Sequence, residues 1–361
     1  MAVKNFEVIK GDDVTTTRTL LHEAIPLTGT ILSGTYEDEN IKDFTHGMFQ
    51  SVYDYPYLSS SSNHIFDITA CYAASSSYSA SGNTQNAKKI NQYTLFAQTL
   101  LGYTGSLTEP SKQVRLFEND LTLDLSMPGQ MKEVFILSFS RLLVKDQIKK
   151  GSFSMMIGTG TWGPANSNPF LTEKYYTLSD ASASADGTGV ASVLGGDMGL
   201  LYSNNTNAVS GAIFYQAGIV VLSASCFHRP DGTPIAQFNR DGETIGYQTP
   251  LMALTGASIS GSCDAVRRRV SNISFNNTTE INSKIYFCRV PHNKYNYSSN
   301  PTYLSGSKIR VKNTPSDQPV SYITTVGLYN DAQELLAVAK LSEPIRKDPT
   351  NDITIRVRLD Y

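Results

Sequence analysis

The sequence predicts a mainly β protein with some α-helix, an α+β fold of antiparallel sheets in a sandwich-like arrangement. Runs rich in β-branched and aromatic residues dominate the chain, whereas a helical pattern recurs in only two stretches of its first third. The final residues alternate apolar and polar without interruption. This alternation predicts a last strand with one apolar face, made of Ile353, Ile355, Val357, Leu359 and Tyr361. A strand at this position needs pairing or a neighbouring subunit to hold it.

The first third of the chain carries three predicted strands and a short helix. The strands are predicted at Val14–Leu21, Thr28–Leu32 and Asn63–Thr69, where β-branched and aromatic residues concentrate. The short helix is predicted near Glu39 to Gln50.

A longer helix is predicted from about Asn83 to Leu101, because apolar and small residues recur there at three- and four-residue steps. Asn83 or Thr84 is the expected N-cap, and Gly102 is the expected end. The predicted buried stripe consists of Ala87, Ile90, Thr94, Phe96, Ala97, Leu100 and Leu101.

The middle of the chain predicts buried strands on either side of a long polar segment. Glu133–Phe139 is apolar on both faces and is predicted as a central strand, and Ser152–Ile157 is predicted as another. Strand character returns at Gly211–Ser225. Between them, Thr159–Asn207 is rich in Gly, Ser, Asn and Thr, and we expect it to project as an arm or to contact a partner.

The C-terminal part predicts a β unit from Ala265 onward, with a strand at Lys284–Val290. Two further strands, Ser321–Asn330 and Leu335–Leu341, flank a predicted turn, and with the final strand they predict a three-stranded meander. The resulting domain division is 1–160 as an N-terminal α+β domain, 161–264 as the long polar region plus a β segment, and 265–361 as a C-terminal β domain.

Composition narrows the classes of function. The chain has 361 residues, of which 17% are charged, and its net charge is −2. Because this charge is small and the charged fraction is below the roughly 25% of average proteins, no global field attracts nucleic acid or an anionic membrane. We therefore predict no nucleic-acid partner, and a surface of Ser, Thr, Asn, Gly and Tyr that suits contacts with other proteins.

Cysteine spacing and hydropathy bear on the compartment and on metal binding. Cys71, Cys226, Cys263 and Cys288 lie far apart, without a C-x-x-C pair, so buried thiols are expected. No apolar stretch is long enough for a membrane span, and the N-terminal residues lack a secretory pattern. The sequence therefore predicts a soluble chain made in a cytoplasm.

No motif in the sequence predicts catalysis, a metal or a cofactor. Gly158–Gly163 has the G-x-G-x-x-G spacing of dinucleotide folds, but Pro164 and Pro169 follow where a helix would have to begin, so a glycine turn is the preferred interpretation. The histidines show no metal-binding spacing, and there is no G-x-S-x-G motif. A Ser/His/Asp arrangement formed only in space stays open.

Arg267, Arg268 and Arg269 form the densest basic run. In a strand, the first and third would share a face and could pair with acidic groups of a partner or with a nucleic-acid backbone. The preferred interpretation is an exposed strand edge kept soluble by charge, and the run is a candidate interface.

Tyrosine, with 20 residues, is the side chain that most suggests an interface. Its ring gives a large contact area with a polar end, and two clusters lie in predicted connections rather than in periodic elements. The candidate interface tyrosines are Tyr53, Tyr55, Tyr57, Tyr295, Tyr297, Tyr303, Tyr329 and Tyr361.

Four segments give the sequence a family resemblance. Val320–Pro344, which contains Ile-Thr-Thr-Val-Gly-Leu-Tyr, resembles a segment of virion structural proteins from large tailed bacteriophages, especially contractile-tailed ones. Phe49–Ser60, Phe139–Phe153 and Asn296–Pro301 add to the resemblance. The glycine-containing hairpin is also similar to hairpins that pack at oligomeric interfaces of tail-fibre and baseplate proteins.

The resemblance implies a multi-copy, non-enzymatic virion component of the baseplate or tail tip. Its expected partners are other virion proteins and further copies of itself in a ring or wedge, assembled in the bacterial host cytoplasm. The alternatives are a neck, connector or capsid-associated protein, a host-receptor reader, and a tail-associated enzyme that degrades polysaccharide or cell wall. Glycoside cleavage would require two carboxylates about 5–10 Å apart across a groove.

Overall fold

The structure is a computed structural model, and it describes residues 6–28, 38–103, 113–117, 131–160, 170, 175–184, 186–204, 209–227, 250–298, 300–306, 308–310, 312, 314 and 316–361. The chain divides into two compact units. The smaller unit contains residues 1–20 and 280–361, and the larger unit contains residues 21–279. The three domains predicted from the sequence stay a prediction.

The described part of the chain is mainly β, as the sequence predicts, and its large sheet is antiparallel in every strand pair with a determined register. The strands are β1 (Val14–Thr28), β2 (Ile41–Asp43), β3 (Gln50–Tyr53), β4 (His64–Tyr72), β5 (Glu133–Phe139), β6 (Gln147–Ile148), β7 (Ser154–Gly158), β8 (Tyr175–Ser179), β9 (Val190–Val193), β10 (Gly196–Ser203), β11 (Val209–Phe214), β12 (Ile219–Ser223), β13 (Val270–Val290), β14 (Leu304–Ser305), β15 (Lys308–Ile309), β16 (Ser321–Tyr329), β17 (Leu335–Lys347) and β18 (Ile353–Asp360).

Four α-helices and three short 3-10 helices accompany these strands in the described residues. The α-helices are α1 (Asn86–Leu100), α2 (Arg141–Val144), α3 (Pro250–Gly256) and α4 (Ile259–Arg267). The 3-10 helices are Gly11–Asp13, Ala224–Phe227 and Pro301–Tyr303.

The sheet of the larger unit runs in the order β13-β7-β8-β10-β11-β12-β5-β4-β3-β2. β5 lies between β12 and β4, so the prediction of a central strand at Glu133–Phe139 is confirmed. Its side chains alternate between two buried apolar clusters: Phe135 and Leu137 belong to one, and Val134 and Ile136 to the other. Because both faces are covered, the central residues Val134–Leu137 are all apolar.

The longer predicted helix is confirmed as α1, although its buried face is rotated from the predicted stripe. Ala97 and Leu100 are buried as expected, but Ala87 is exposed, and Lys89 and Tyr93 are buried in its place. The N-cap is Gln85, in a left-handed conformation. The side chains of Asn83 and Thr84 bond elsewhere, to the carbonyls of Tyr78 and Gly256, so that prediction was wrong.

The short helix predicted near Glu39 to Gln50 is wrong, because this segment forms β2, a turn and the start of β3. Gly47 adopts a positive φ of 60°, and the ring of His46 accepts a hydrogen bond from the amide of Met48. These features close a turn and stop a helix from continuing.

The arm predicted over Thr159–Asn207 is wrong where the structure describes it, because β8, β9 and β10 lie in the large sheet. Glycines and short polar residues here mark turns between strands, such as Gly187, Gly189 and Gly196 with positive φ. Residues 161–169, 171–174, 185 and 205–208 lie outside the described residues, as do residues 29–32 of the predicted strand Thr28–Leu32.

The smaller unit contains two β layers that share an apolar cluster. β18 pairs antiparallel with residues 283–290 of β13, and β16 pairs with β17 as a separate two-stranded sheet. Leu328 of the hairpin packs with Ile355 and Val357 of β18. The predicted hairpin is therefore present. The final strand, predicted as the third strand of a meander, instead pairs with β13 and packs its apolar face against the hairpin.

Candidate interaction surfaces

The outer face of the β16–β17 hairpin carries large apolar side chains that are exposed in the isolated chain. We call this set the hairpin surface; its members are Phe6, Tyr329, Leu335, Leu336 and Val338, which are 38–68% exposed. The Phe6 ring meets the Tyr329 ring edge-on, with 4.9 Å between centroids. Contiguous exposed apolar side chains of this kind mark interaction sites in soluble proteins.

Gly327 shapes the hairpin surface. It lies opposite Val338 in the ladder, and Tyr329 lies opposite Leu335. A Cβ atom at Gly327 would be 2.9 Å from the Tyr329 ring and 3.2 Å from a Leu335 methyl group. The two side chains therefore lean over the glycine and form one continuous apolar area.

The opposite face of the hairpin is already used for packing. Ile323, Val326, Ala337, Ala339 and Leu341 pack against the cluster that includes Ile355 and Val357 of β18. Side chains alternate along the strands, and a register shift that leaves Leu336 as an extra residue puts Leu335 on the outer face opposite Tyr329. The members of the hairpin surface accordingly stay exposed in the isolated chain.

Six of the eight candidate tyrosines are exposed in the isolated chain. Tyr329 lies within the hairpin surface, and the other exposed ones are Tyr55, Tyr57, Tyr295, Tyr297 and Tyr361. Tyr53 and Tyr303 are half-buried. Their rings contact those of Tyr57 and Tyr297, at 6.4 Å and 5.5 Å between centroids. Their role at an interface stays a prediction.

The strand-edge interpretation of the arginine run is wrong. Arg267 is the last residue of α4, Arg268 and Arg269 form the turn that leads into β13, and both Arg267 and Arg269 are buried. The Arg267 guanidinium bonds Asp38 at 2.6 Å and Asp264 at 3.2 Å. The signal in the sequence was Ser258, a preferred N-cap residue, ahead of the helix. In the structure the Ser258 side chain does cap α4, because it accepts a hydrogen bond from the amide of Gly261.

The pKa values of the two carboxylates around this run are shifted in opposite directions. Burial would raise the pKa of Asp38, but the charges of Arg267 and Arg268 and their hydrogen bonds hold it below its ordinary value. Burial raises the pKa of Asp264, and Arg267 offsets this only in part. Gln50 joins Asp264 to Asp43 through its amide nitrogen, at 2.8 Å and 3.1 Å. Gln50 thus links β3 to β2 and α4, and the arginines link α4 to Asp38, all inside the larger unit.

The described part of the glycine motif contacts a positively charged side chain of the same chain through its carbonyl groups. The carbonyl oxygens of Gly158 and Gly160 each accept a hydrogen bond from the buried Arg269 guanidinium, at 3.0 Å. A phosphate site would instead require amide N–H groups directed at the ligand. Gly163, Pro164 and Pro169 lie outside the described residues.

Ser51, His64 and Asp67 do meet in space, on β3 and β4. The Ser51 hydroxyl donates to Oδ1 of Asp67 at 2.5 Å, and Nε2 of His64 lies 2.8 Å from the same oxygen. In a nucleophilic triad the imidazole stands between the hydroxyl and the carboxylate. Here the carboxylate stands between the other two, so the His64 ring has no contact with the Ser51 hydroxyl through which to activate it.

The remaining features concern the cysteines, possible metal ligands and apolar helices of the described residues. The four thiols are all unbridged, and burial raises the pKa of each of them. The described residues contain no group of three or more His, Cys, Asp or Glu arranged to hold a metal ion. Among them there is also no helix of the length and apolar character that a membrane crossing requires.

No family model matches the chain, and neither the curated proteins nor the solved structures searched contain a match.

Proposed function

We propose that the chain is a structural component of a tailed-bacteriophage virion, in the baseplate or tail tip, that acts through protein–protein contacts. The phage setting comes from the sequence resemblance alone. The contact role is supported by the hairpin surface, where apolar side chains lie on the outer face of a hairpin whose inner face is already packed. Burying such side chains against a partner gains roughly 25 cal/mol per Å² of apolar area.

The strand composition of the hairpin supports the same role. β16 contains no charged residue and no proline, the features by which proteins keep exposed strands from associating. β17 does carry charges and a proline, but all of them lie beyond Leu336 and Val338, from Lys340 onward. The hairpin surface therefore has an apolar centre and a charged border, which is the usual composition of a specific interface.

The test is incorporation into particles. Particles of the phage that encodes the chain are purified from the wild type and from a Leu336→Ser, Val338→Glu variant. We expect the wild-type chain in stoichiometric amount and tail labelling by specific antibody. The variant is expected to be absent from particles while its purified chain keeps the wild-type circular dichroism and melting temperature, because both side chains are exposed.

A control for the Leu336→Ser change makes the same substitution elsewhere. Leu142 on α2 is 72% exposed, so Leu142→Ser removes an exposed leucine outside the hairpin surface. This variant should enter particles normally. Absence of the wild-type chain from purified particles would overturn the proposed function, and normal incorporation of the hairpin variant would remove the hairpin surface from it.

A further inference from the structure

The N-terminal half of β1 is an edge strand with neither face covered. β1 stands at the end of the strand order of the large sheet, with β13 as its neighbour. All residues from Thr15 to Leu20, which belong to the smaller unit, are exposed, on both faces of the strand. A strand in this position contributes hydrogen bonds to β13 but buries no side chain in a core. Its outer edge is unpaired among the described residues.

This edge lacks the usual protection against pairing. Proteins normally blunt an exposed edge with charges, proline, a bulge or a short strand. β1 has 15 residues, which is longer than most strands. Between Val14 and Leu20 the one charged side chain is Arg18, and it forms an ion pair with Glu280 of β13. The charge of this segment is therefore balanced by a carboxylate of the same chain.

The segment is complementary to itself. When two copies of Val14-Thr-Thr-Thr-Arg-Thr-Leu20 run antiparallel with Thr17 opposite Thr17, Val14 faces Leu20 and Thr15 faces Thr19. Thr16 then faces Arg18, so no like charges are opposed. Threonine pairs and apolar pairs across strands are favourable, and antiparallel pairing about a two-fold axis uses the same patch on both subunits.

We propose that the chain forms a two-fold symmetric dimer in which residues 14–20 of two copies pair as antiparallel strands centred on Thr17. The partner is a second copy of this chain. This contact is separate from the hairpin surface and does not depend on the virion role. The contact joins the β1 edges of two copies, so that their sheets become one continuous sheet. The threonines then lie on both faces of the junction.

The test uses sedimentation equilibrium of the full chain and a charge exchange at Thr15 and Thr19. In the proposed register, Thr15→Lys with Thr19→Lys opposes lysines across the axis, and Thr15→Glu with Thr19→Glu opposes glutamates. Each variant alone should dimerise at least about tenfold more weakly than the wild type, which corresponds to about 1.4 kcal/mol. An equimolar mixture should restore a dimer, because each lysine then faces a glutamate.

A lysine pair on the other exposed strand is the matched control. Thr324→Lys with Thr325→Lys adds the same charge to β16, and this variant should dimerise as strongly as the wild type. Circular dichroism is expected to be unchanged in all variants, since the substituted side chains are exposed.

A second measurement serves if a charged variant fails to fold. Under mild oxidation, Thr17→Cys should cross-link two copies, because residue 17 faces itself, whereas Thr15→Cys should not. A monomeric wild-type chain at micromolar concentration, like-charged variants as dimeric as the wild type, a mixture that stays monomeric, or equal cross-linking at positions 15 and 17 would each overturn the proposal. None of these outcomes bears on incorporation into particles.

Discussion

Lys145 adopts a backbone conformation that a residue with a side chain rarely takes. Its dihedral angles are φ 59° and ψ −121°, the values of the first central position of a type II′ turn, where glycine is strongly preferred. Its amide donates to the carbonyl of Arg141 at 2.9 Å, and the residue bridges to Thr278. The backbone is thus held on both sides while the Cβ atom is strained, at a cost of about 1–3 kcal/mol.

Replacing Lys145 by glycine is expected to stabilise the chain. Relief of strain exceeds the loss from greater freedom of the unfolded glycine, which leaves a gain of about 1 kcal/mol in the free energy of unfolding. Urea unfolding measures it. Lys145→Ala is the control, because alanine keeps the Cβ atom and should give no comparable gain. Equal effects of the two substitutions would show that the side chain, not the backbone, decides the stability at this position.

At the scale of elements, one lysine connects α1 to the end of α3. The Lys89 ammonium is buried and donates to the carbonyls of Leu254 and Ala257, at 2.5 Å and 2.7 Å. Burial lowers the pKa of Lys89 from its ordinary value of 10.5 to about 8. The folded chain therefore releases this proton at a lower pH than the unfolded chain does.

This difference in pKa predicts how Lys89 contributes to stability as pH changes. Between pH 8 and 10.5 the unfolded state binds more protons at Lys89 than the folded state, so its contribution rises with pH. Urea unfolding of the wild type and of Lys89→Met should show the wild type gaining on the variant across this window, by about 3 kcal/mol at most. Other titrating groups cancel in the comparison. A difference that stays constant or falls with pH would contradict the lowered pKa.

Elements with a strong period were predictable from the sequence, and elements set by distant contacts were not. β18 has a two-residue alternation and β5 has a short apolar run, and both are present as the predicted strands. The pairing partner of β18 was not predictable. The same alternating pattern fits a strand that pairs with the hairpin and a strand of another sheet that packs against it. Likewise, nothing local in the sequence of β16 and β17 shows which of their faces is packed.

The candidate site shows the same limit at the level of single residues. Four exposed tyrosines, Tyr55, Tyr57, Tyr295 and Tyr297, lie in clusters that could be selected by their polar surroundings in sequence. The arginine run could not be placed, because its burial depends on Asp38, on Asp264 and on the carbonyls of the Gly158 turn. Of these groups, only Asp264 is near in sequence. A helix read from Ser258 onward would have moved Arg267 off the strand edge, but would not have revealed its distant partners.

At the scale of the whole chain, the two compact units have cores of very different size. The apolar cluster of the smaller unit has three buried members, Leu328, Ile355 and Val357. The larger unit has two clusters that cover both faces of its sheet, including β5 and β12. Since local stability follows the number of buried apolar contacts, the smaller unit is expected to open more readily than the larger one.

Hydrogen exchange measured by mass spectrometry tests this expectation on the purified chain. Amides of β16 and β17 should exchange at lower protection than those of β5, whose protection should approach that of global unfolding. If the hairpin surface is buried by a partner in the virion, as proposed, the hairpin amides should gain protection in particles while those of β5 change little, because a ligand that binds one element stabilises the states in which it is folded. Equal protection of both elements in the purified chain would contradict the argument from core size, and an unprotected hairpin in particles would contradict its burial there.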